Sequence, residues 1–398
     1  MQVEDLSICG RFIDELAKRL DITEEQYTNA EKQYNKIGYY LETTLKEPVN
    51  IYTQGSFMLG TVIKPYRNGK DADYDIDLVC EFTNKSQTTV LPEKLKKDVG
   101  DALKNNSEYE PFMDKEGRRC WTLNFSGFHI DYLPCVPFTP YDNKISLTHT
   151  EDFKNYEWKR SNPKEFGEWF KQRQSVVYKR IKTAQKQRIY ECNQRVYDSV
   201  DAVPDRCVKT PLQKVIQILK RHRDVYFANK TNEKYKPISM VITVLAAEIY
   251  EQEADSYLAL KNIIEEMGKY EEIFRSSIHR SSAKNEELIK FDGNEWRISN
   301  PVAQEENFAE RWHENNHARA KAFFEWVREL KYNFLRVLGS QDLKTIKESL
   351  EEELHLYVDE DMLINLGFAP QSINSTTEPL PPIREVVITN PIKPYLKF

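Results

Sequence analysis

The chain has 398 residues, of which 40% are hydrophobic, and it carries a formal net charge of −6. A chain of this length and composition can bury a large core and is expected to form two or three structural lobes. The acidic balance argues against a general nucleic-acid-binding surface. No stretch approaches the eighteen or more apolar residues of a membrane span, and the acidic amino terminus is unlike a signal peptide, so we expect a cytoplasmic protein.

Two helices are predicted before the first strand. Residues 4–20 have an amphipathic pattern. Thr23 followed by Gln26 is the pattern of a capping box, and it predicts a second helix that runs to about Leu45.

The hydrophobic pattern then changes character along the chain. From Val49 to about Val136 it predicts apolar strands with one helix, Leu91 to Leu103. After Asn162-Pro163 it becomes largely helical through Ser349, and the last part of the chain is rich in proline. We therefore predict three units: a sheet-containing core with amino-terminal helices over residues 1–162, a helical lobe over 163–369 and an extended tail over 370–398.

An alternating acidic pattern is the most informative feature of the chain. Asp75 and Asp77 lie two apart on a predicted strand, so their side chains would stand on one face about 6.6 Å apart. Asp71 and Asp73 continue the alternation, but they follow the turn-like stretch 67–70, so we choose Asp75 and Asp77 as the metal pair. Any half-exposed edge strand shows such alternation, so this motif alone is not decisive.

A third acid, Asp131, lies in a second apolar stretch from Phe128 to Leu133. If this stretch is the neighbouring strand, Asp75, Asp77 and Asp131 share one face of a sheet. Hard divalent cations prefer such oxygen ligands, and a three-carboxylate site suits two-metal phosphoryl transfer.

The pair Gly55-Ser56 follows a predicted short strand, Ile51 to Thr53. Glycine allows a close turn that leaves backbone N–H groups and the serine hydroxyl free for phosphate oxygens. A Gly-Ser pair is usually only a turn, but this one precedes the strand with two acids by about twenty residues. The conjunction predicts a phosphate-binding turn beside a metal site.

Lys220 is the interior charge of a predicted helix from Val215 to Arg223 and could neutralise a triphosphate, although a lysine that merely extends to solvent is the ordinary alternative.

These motifs stand in a characteristic order: Gln54 to Phe57, Gly60 to Pro65, Tyr74 to Leu78, His129 to Asp131, Thr210 to Gln213, Lys220 to Asp224, Lys236 to Ser239, Asn300 to Val302 and Asn307 to Ala309. In this order the chain resembles the bacterial cGAS/DncV-like nucleotidyltransferases, the CD-NTases, over roughly residues 50 to 330. The Gly-Ser and Asp-x-Asp signature is shared by the whole polymerase-beta-like nucleotidyltransferase superfamily, and the later motifs point to the CD-NTase branch.

The resemblance implies an α+β fold, in which a mixed-sheet nucleotidyltransferase core with long amino-terminal helices packs against a helical lobe and the active site lies in the cleft between them. It also implies a magnesium-dependent enzyme that joins nucleoside triphosphates, ATP among them, into a cyclic di- or trinucleotide and releases pyrophosphate. Such a second messenger would switch on a downstream effector in antiphage defence of the CBASS type, with an activating protein required in some members.

The resemblance further implies the roles of individual residues. Asp75, Asp77 and Asp131 would bind two magnesium ions, for which manganese could substitute, and Asp131 would sit nearest the attacking ribose hydroxyl. The residues expected to bind the donor triphosphate are Gly55, Ser56, Lys220 and Ser239. No base-stacking residue is assigned, because Met240 follows Ser239 where animal cyclic GMP-AMP synthase has an aromatic residue.

Three alternatives stay open at this point. A template-free nucleotidyltransferase that modifies RNA or protein would use the same acids and the same phosphate turn. An inactive nucleotide sensor would bind triphosphate without chemistry, although it would not need Asp131. Finally, residues 313–317 fit the zinc-binding pattern H-E-x-x-H, but their flanks are polar, no third ligand is indicated, and we interpret them as part of an amphipathic helix.

Overall fold

The computed structural model describes residues 7–139, 143–192, 208–228, 230–276, 288–338 and 343–367. The helices among them are α1 (Ile8–Leu20), α2 (Glu24–Leu45), α3 (Gly55–Met58), α4 (Pro92–Lys104), α5 (Pro163–Arg173), α6 (Ser175–Cys192), α7 (Pro211–Phe227), α8 (Ser239–Ile249), α9 (Ser256–Ser276), α10 (Glu314–Leu330), α11 (Leu343–Leu354) and α12 (Glu360–Leu366). The strands are β1 (Val49–Gln54), β2 (Tyr66–Arg67), β3 (Lys70–Asp71), β4 (Tyr74–Phe82), β5 (Trp121–Phe125), β6 (Phe128–Pro137), β7 (Ile145–Thr150), β8 (Tyr156–Ser161), β9 (Lys290–Phe291), β10 (Trp296–Arg297), β11 (Ser299–Asn300) and β12 (Ala303–Asn307). The predicted tail, 370–398, lies outside the described residues.

The two amino-terminal helices form where the sequence predicts them. Thr23 accepts a hydrogen bond from the Gln26 backbone and Gln26 returns one to Thr23, so the capping box that starts α2 is confirmed. The two helices belong to different cores. The apolar face of α1 packs among the helices of the carboxy-terminal half, whereas Ala30, Ile37 and Leu41 of α2 pack beneath the sheet.

The main sheet is mixed, with strand order β1-β4-β6-β7-β8. Strand β5 pairs with residues 128–132 of β6, ahead of residues 135–137, which pair with β7. Strand β4 pairs in parallel with β6, and the other pairings in this sheet are antiparallel. One face is covered by α2 and α4, because alternate residues of β4 and β6 are apolar; those of β4 are Tyr74, Ile76, Leu78, Cys80 and Phe82. The opposite face carries the acids.

Helix α7 runs through the helical core and is buried along most of its length. Around it pack α1, α8, α9, α10 and α11, so the architecture is a mixed sheet with helices joined to a helical lobe. The α+β fold is therefore confirmed. The short strands β9 to β12 interrupt the stretch from Pro163 to Ser349, which is less uniformly helical than its sequence predicts. None of the described helices combines the length and apolarity needed to cross a membrane.

Candidate active site

Strands β4 and β6 bring three acids together. Their parallel register places Asp77 directly opposite Asp131, and Asp75 opposite His129. Residues that alternate with these acids, such as Ile76 and Ile130, are fully buried on the other face, which fixes the acids on the open face. The structure thus places Asp75, Asp77 and Asp131 on one face of adjacent strands.

The hairpin formed by β2 and β3 explains why the upstream acids are separate. Asn68 and Gly69 at its tip both have positive φ, as a tight two-residue hairpin turn requires. On β3, Asp71 accepts a 2.6 Å hydrogen bond from Arg221 of α7. Asp71 therefore anchors the hairpin, while Asp75 and Asp77 stand on the long strand β4.

The acids repel one another strongly. Burial, followed by the charges of Asp131 and Asp75, raises the pKa of Asp77 to about 7, and the nearby cation Lys220 opposes this only in part. Partial burial also raises the pKa of Asp75, against the attraction of Arg67, whose guanidinium lies 3.5 Å from its carboxylate. Negative charge at this face is therefore incompletely neutralised by the protein.

The third acid is held from the neighbouring strand. Thr122 of β5 lies opposite Asp131 and donates a 2.5 Å hydrogen bond to Asp131 Oδ1. Within the described ranges, no three Asp, Glu, His or Cys side chains converge into a closed cage around one point as they stand. Side-chain rotation of Asp75 away from Arg67 would open its oxygens to a metal. The hard oxygen donors and the raised pKa of Asp77 both fit a divalent cation, which Asp75, Asp77 and Asp131 would hold.

The Gly-Ser turn packs directly against Asp77. Gly55 begins the short helix α3 with φ of +59°, and a Cβ atom at this position would lie 2.7 Å from Asp77 Oδ2. Both the positive φ and the close approach require glycine. Ser56 follows it in α3 and lines the adjacent cavity.

The loop after α3 is bound along helix α7. Polar side chains on and just before α7 donate hydrogen bonds to five of the six backbone carbonyls of residues 59–64. The bonds are Gln213 Nε2 to Leu59 O (2.9 Å), Lys209 Nζ to Gly60 O (2.6 Å), Lys220 Nζ to Thr61 O (3.0 Å), Gln217 Nε2 to Val62 O (2.8 Å) and Arg221 Nη1 to Lys64 O (3.3 Å). Helix α7 therefore positions the loop that joins the Gly-Ser turn to the β2–β3 hairpin.

Lys220 is buried, with 5% of its surface exposed, and does not extend to solvent as the ordinary alternative assumed. Burial, then the repulsion of Arg223, lowers its pKa to about 7, although Asp224 and Asp77 favour the charged form. An anionic ligand beside Lys220 would therefore raise its pKa again. This behaviour suits a cation that binds phosphate.

A cavity of about 290 Å³ lies between the sheet and the helical lobe. Four of the predicted site residues line it, namely Ser56, Asp75, Lys220 and Ser239, whereas Gly55, Asp77 and Asp131 do not belong to its lining. The other lining residues are Ile63, Pro65, Arg67, Arg223, Asp224, Lys236, Pro237 and Ile238.

The sequence predicts no individual role for four charged residues of the lining, namely Arg67, Arg223, Asp224 and Lys236. Arg223 donates to Asp224 Oδ1 from Nε (3.0 Å) and Nη2 (2.7 Å), and Lys236 Nζ lies 3.6 Å from the same oxygen. Arg223 and Asp224 stand within the Lys220-to-Asp224 motif and Lys236 begins the Lys236-to-Ser239 motif, which was the available signal.

The residues of the H-E-x-x-H pattern do not form a regular helical turn. Asn315, Asn316 and His317 at the start of α10 have φ between +51° and +59°, in the left-handed region. His313 and His317 are therefore not one right-handed turn apart, as zinc binding by this pattern requires. His317 Nδ1 instead accepts a hydrogen bond from the Trp296 indole (3.1 Å). The interpretation of these residues as part of a regular amphipathic helix is wrong at this turn, and the zinc alternative loses its geometric basis.

Comparison with known proteins identifies a similar domain family and a similar fold. Residues 9–174 match the family model described as Second Messenger Oligonucleotide or Dinucleotide Synthetase domain. The fold is similar to that of the CD-NTase CdnG of Bradyrhizobium diazoefficiens, solved in complex with GTP, with a TM-score of 0.64 and 20% sequence identity over 90% of this chain and 98% of that one. Residues 9–174 thus match a family of second-messenger synthetase domains, and the fold is that of a CD-NTase.

Two curated relatives are named as cyclic dinucleotide synthases. A c-di-GMP synthase of Roseivirga ehrenbergii is 28% identical over 265 residues, which cover 66% of this chain and 61% of that protein. The cyclic dinucleotide synthase CdnG of Bradyrhizobium diazoefficiens is 26% identical over 231 residues, which cover 54% and 53%. The chain thus matches between half and two thirds of the length of each relative.

Proposed function

We propose that this chain is a magnesium-dependent nucleotidyltransferase that condenses nucleoside triphosphates into a cyclic di- or trinucleotide and releases pyrophosphate. The observation that carries the proposal is the placement of three acids on one sheet face, of which Asp75 also lines a cavity that contains cations and Ser56 of the Gly-Ser turn. The acids suit a metal-assisted reaction and the cations suit a triphosphate. The relatives named as cyclic dinucleotide synthases support cyclisation.

The residues of this chain supply positioning and charge. Ser56 and Lys220 would bind the phosphates of the donor, and Gly55 keeps the chain close to Asp77. A divalent metal bound by Asp75, Asp77 and Asp131 would neutralise the charge that develops on the phosphate oxygens. CD-NTases in general use divalent metal ions, which agrees with this assignment. We propose two magnesium ions, with manganese as a substitute.

The chemical step is a displacement at the donor's α-phosphorus. The ribose hydroxyl oxygen of the acceptor forms a bond to that phosphorus, the bond to the oxygen bridging to the β-phosphate breaks, and pyrophosphate leaves with the bonding electrons. Asp131 would accept the hydroxyl proton, and the bond from Thr122 leaves its second oxygen available for this role. A second such attack after repositioning closes the ring.

The biological setting is part of the proposal. A cyclic oligonucleotide made in this way would act in the cytoplasm on a downstream effector in antiphage defence, and an activating protein would control synthesis if the purified enzyme is silent. The chain is acidic overall, whereas Arg67, Lys220, Arg223 and Lys236 line the cavity, which favours free nucleotides over long nucleic acids as substrates.

The test is a product analysis. Purified protein is incubated with all four α-labelled ribonucleoside triphosphates and Mg²⁺ or Mn²⁺, treated with phosphatase and examined by mass spectrometry. We expect a phosphatase-resistant cyclic product from the wild type and from Asp73→Asn, a matched change in the same acidic alternation, and none from Asp75→Asn/Asp77→Asn. Linear or macromolecule-bound label would instead support the template-free transferase. If nucleotide binds without turnover under every condition, the sensor alternative is supported.

A further inference from the structure

Most N–H groups of the Arg223 guanidinium donate hydrogen bonds within the protein. Arg223 is 7% exposed and stands at the edge of the cavity. Its Nε and Nη2 donate to Asp224 Oδ1, and its Nη1 donates to Pro237 O (3.2 Å) and to Ser239 Oγ (2.9 Å). A guanidinium has five N–H donors, so these four bonds leave one. Arg223 is therefore better placed to position Asp224 and Ser239 than to bind a ligand through two N–H groups of its guanidinium.

The bond to Ser239 determines what that hydroxyl can do. Arginine only donates, so Ser239 Oγ must accept in this bond, and its own proton stays available for an acceptor. Ser239 is the first residue of α8. A hydroxyl that accepts from a cation is also polarised, which strengthens the hydrogen bond that it donates in turn.

The acid beside Arg223 has a matching role. Asp224 is 3% exposed, and a carboxylate is an unexpected group in the lining of a phosphate-binding cavity. Neighbouring residues on a helix do not normally face each other, so Arg223 must fold its side chain across α7 to reach Asp224. The paired bonds to one carboxylate oxygen fix the plane of the guanidinium, and with it the direction of the Nη1 donor toward Ser239.

We propose that Arg223 is a positioning residue that, held by Asp224, orients the Ser239 hydroxyl to donate its proton to a phosphate oxygen of the donor nucleotide. The inference rests on the proposed function, since it assumes that a triphosphate enters the cavity. It assigns new roles to Arg223 and Asp224: they act through Ser239, whereas Lys220 contributes charge directly.

The test is a double-mutant cycle of nucleotide affinity. The probes are the α,β-methylene analogues of the four nucleoside triphosphates with Mg²⁺, which bind without turnover, and the tightest one is used in calorimetry with each variant. Ser239→Ala and Arg223→Gln should each weaken binding roughly tenfold, because each removes a hydrogen bond to a charged group. In the Ser239→Ala background, Arg223→Gln should add less than about threefold, because its effect passes through the hydroxyl.

Controls separate this role from a purely structural one. Arg160→Gln makes the same chemical change on the exposed strand β8 and should leave the affinity unchanged. Asp224→Asn, which keeps the side-chain shape, should weaken binding by a few fold in the wild-type background and by less when Ser239 is alanine; it replaces Arg223→Gln if that variant does not fold. Equal losses in both backgrounds would overturn the inference while the proposed function stands. No binding of any analogue to the wild type would contradict the proposed function and the inference together.

Discussion

The acid face of the sheet, formed by Asp75, Asp77 and Asp131, and helix α7 carry opposite charges. The two regions differ in how far the protein neutralises these charges. On the sheet, Asp75 and Asp77 have raised pKa values because burial and mutual repulsion are not offset by the protein. On α7, Lys220, Arg221 and Arg223 each donate to carbonyl, carboxylate or hydroxyl oxygens. The difference shows which groups favour an external partner: Arg221 and Arg223 pair with carboxylates of the chain, whereas a bound cation would favour the ionised form of Asp77 and a bound anion the charged form of Lys220.

The largest expected effect comes from removing the central acid. Asp77→Asn should reduce product formation by at least about 10³-fold, since it deletes a metal ligand that acts in the transition state. The same change should stabilise the metal-free protein at pH 8 by about 2–4 kcal/mol, because the raised pKa makes ionised Asp77 unfavourable in the folded state.

The stabilisation that Asp77→Asn produces should depend on pH. The pKa of Asp77 is about 7 in the folded protein and 3.8 as its ordinary value, so the cost of ionisation is complete above pH 7 and shrinks as the pH falls toward 3.8. Denaturant melts of metal-free wild type and Asp77→Asn at pH 5 and pH 8 measure it. A variant that is less stable at pH 8 would contradict the claim that the acid face is uncompensated.

A second change probes the contact between the two regions at the Gly-Ser turn. Gly55→Ala places a Cβ 2.7 Å from Asp77 Oδ2 at a position with φ of +59°, so the turn or the carboxylate must move. We expect a loss of roughly 10²-fold in kcat, as for a displacement of about 1 Å in a catalytic group, with about 1 kcal/mol of lost stability. Gly69→Ala, at the open tip of the hairpin, is the control for positive φ without a clash and should retain kcat.

Nucleotide affinity should depend on pH through Lys220 of α7. Burial lowers the pKa of Lys220 to about 7, so nucleotide binding at higher pH requires proton uptake. Affinity for a nonhydrolysable nucleoside triphosphate should therefore fall by up to about tenfold per pH unit above pH 7, and the slope should disappear in Lys220→Met. Calorimetry in buffers of different ionisation enthalpy counts the protons. An identical slope in both proteins would show that Lys220 is not the group that titrates.

The smallest effect is expected where α7 only positions the loop. Gln217 is buried and donates to Val62 O, so Gln217→Leu leaves that carbonyl unsatisfied and should cost about 1–3 kcal/mol of stability. Product formation should fall only a few fold, because the phosphate-binding groups remain. Gln213→Leu, which affects the Leu59 carbonyl, is a matched second test. A loss as large as that of Asp77→Asn would mean that the loop itself takes part in chemistry.

Local pattern was sufficient for some features and not for others. The capping box at Thr23 and the alternation around Asp77 depend on period and on neighbouring residues, so the sequence predicts them. The pairing of β4 with β6 is only a condition of the predicted site, because it joins segments about fifty residues apart. The domain limits stay a prediction. The carbonyl bonds from α7 to residues 59–64 join segments about 150 residues apart, and no sequence period encodes such contacts. The left-handed turn at Asn315 and Asn316 suits asparagine, which has weak helix propensity and tolerates this conformation, but the amphipathic period around it does not reveal the turn.

The most direct measurement of the central claim is Mn²⁺ binding followed by electron paramagnetic resonance at pH 7.5, with and without a nonhydrolysable nucleoside triphosphate. If the acid face requires a cation, the wild type and Asp73→Asn should immobilise Mn²⁺, more tightly with nucleotide, and Asp77→Asn should lose the tight site. Equal binding by all three proteins would contradict the account, because the metal would then be held away from Asp75, Asp77 and Asp131.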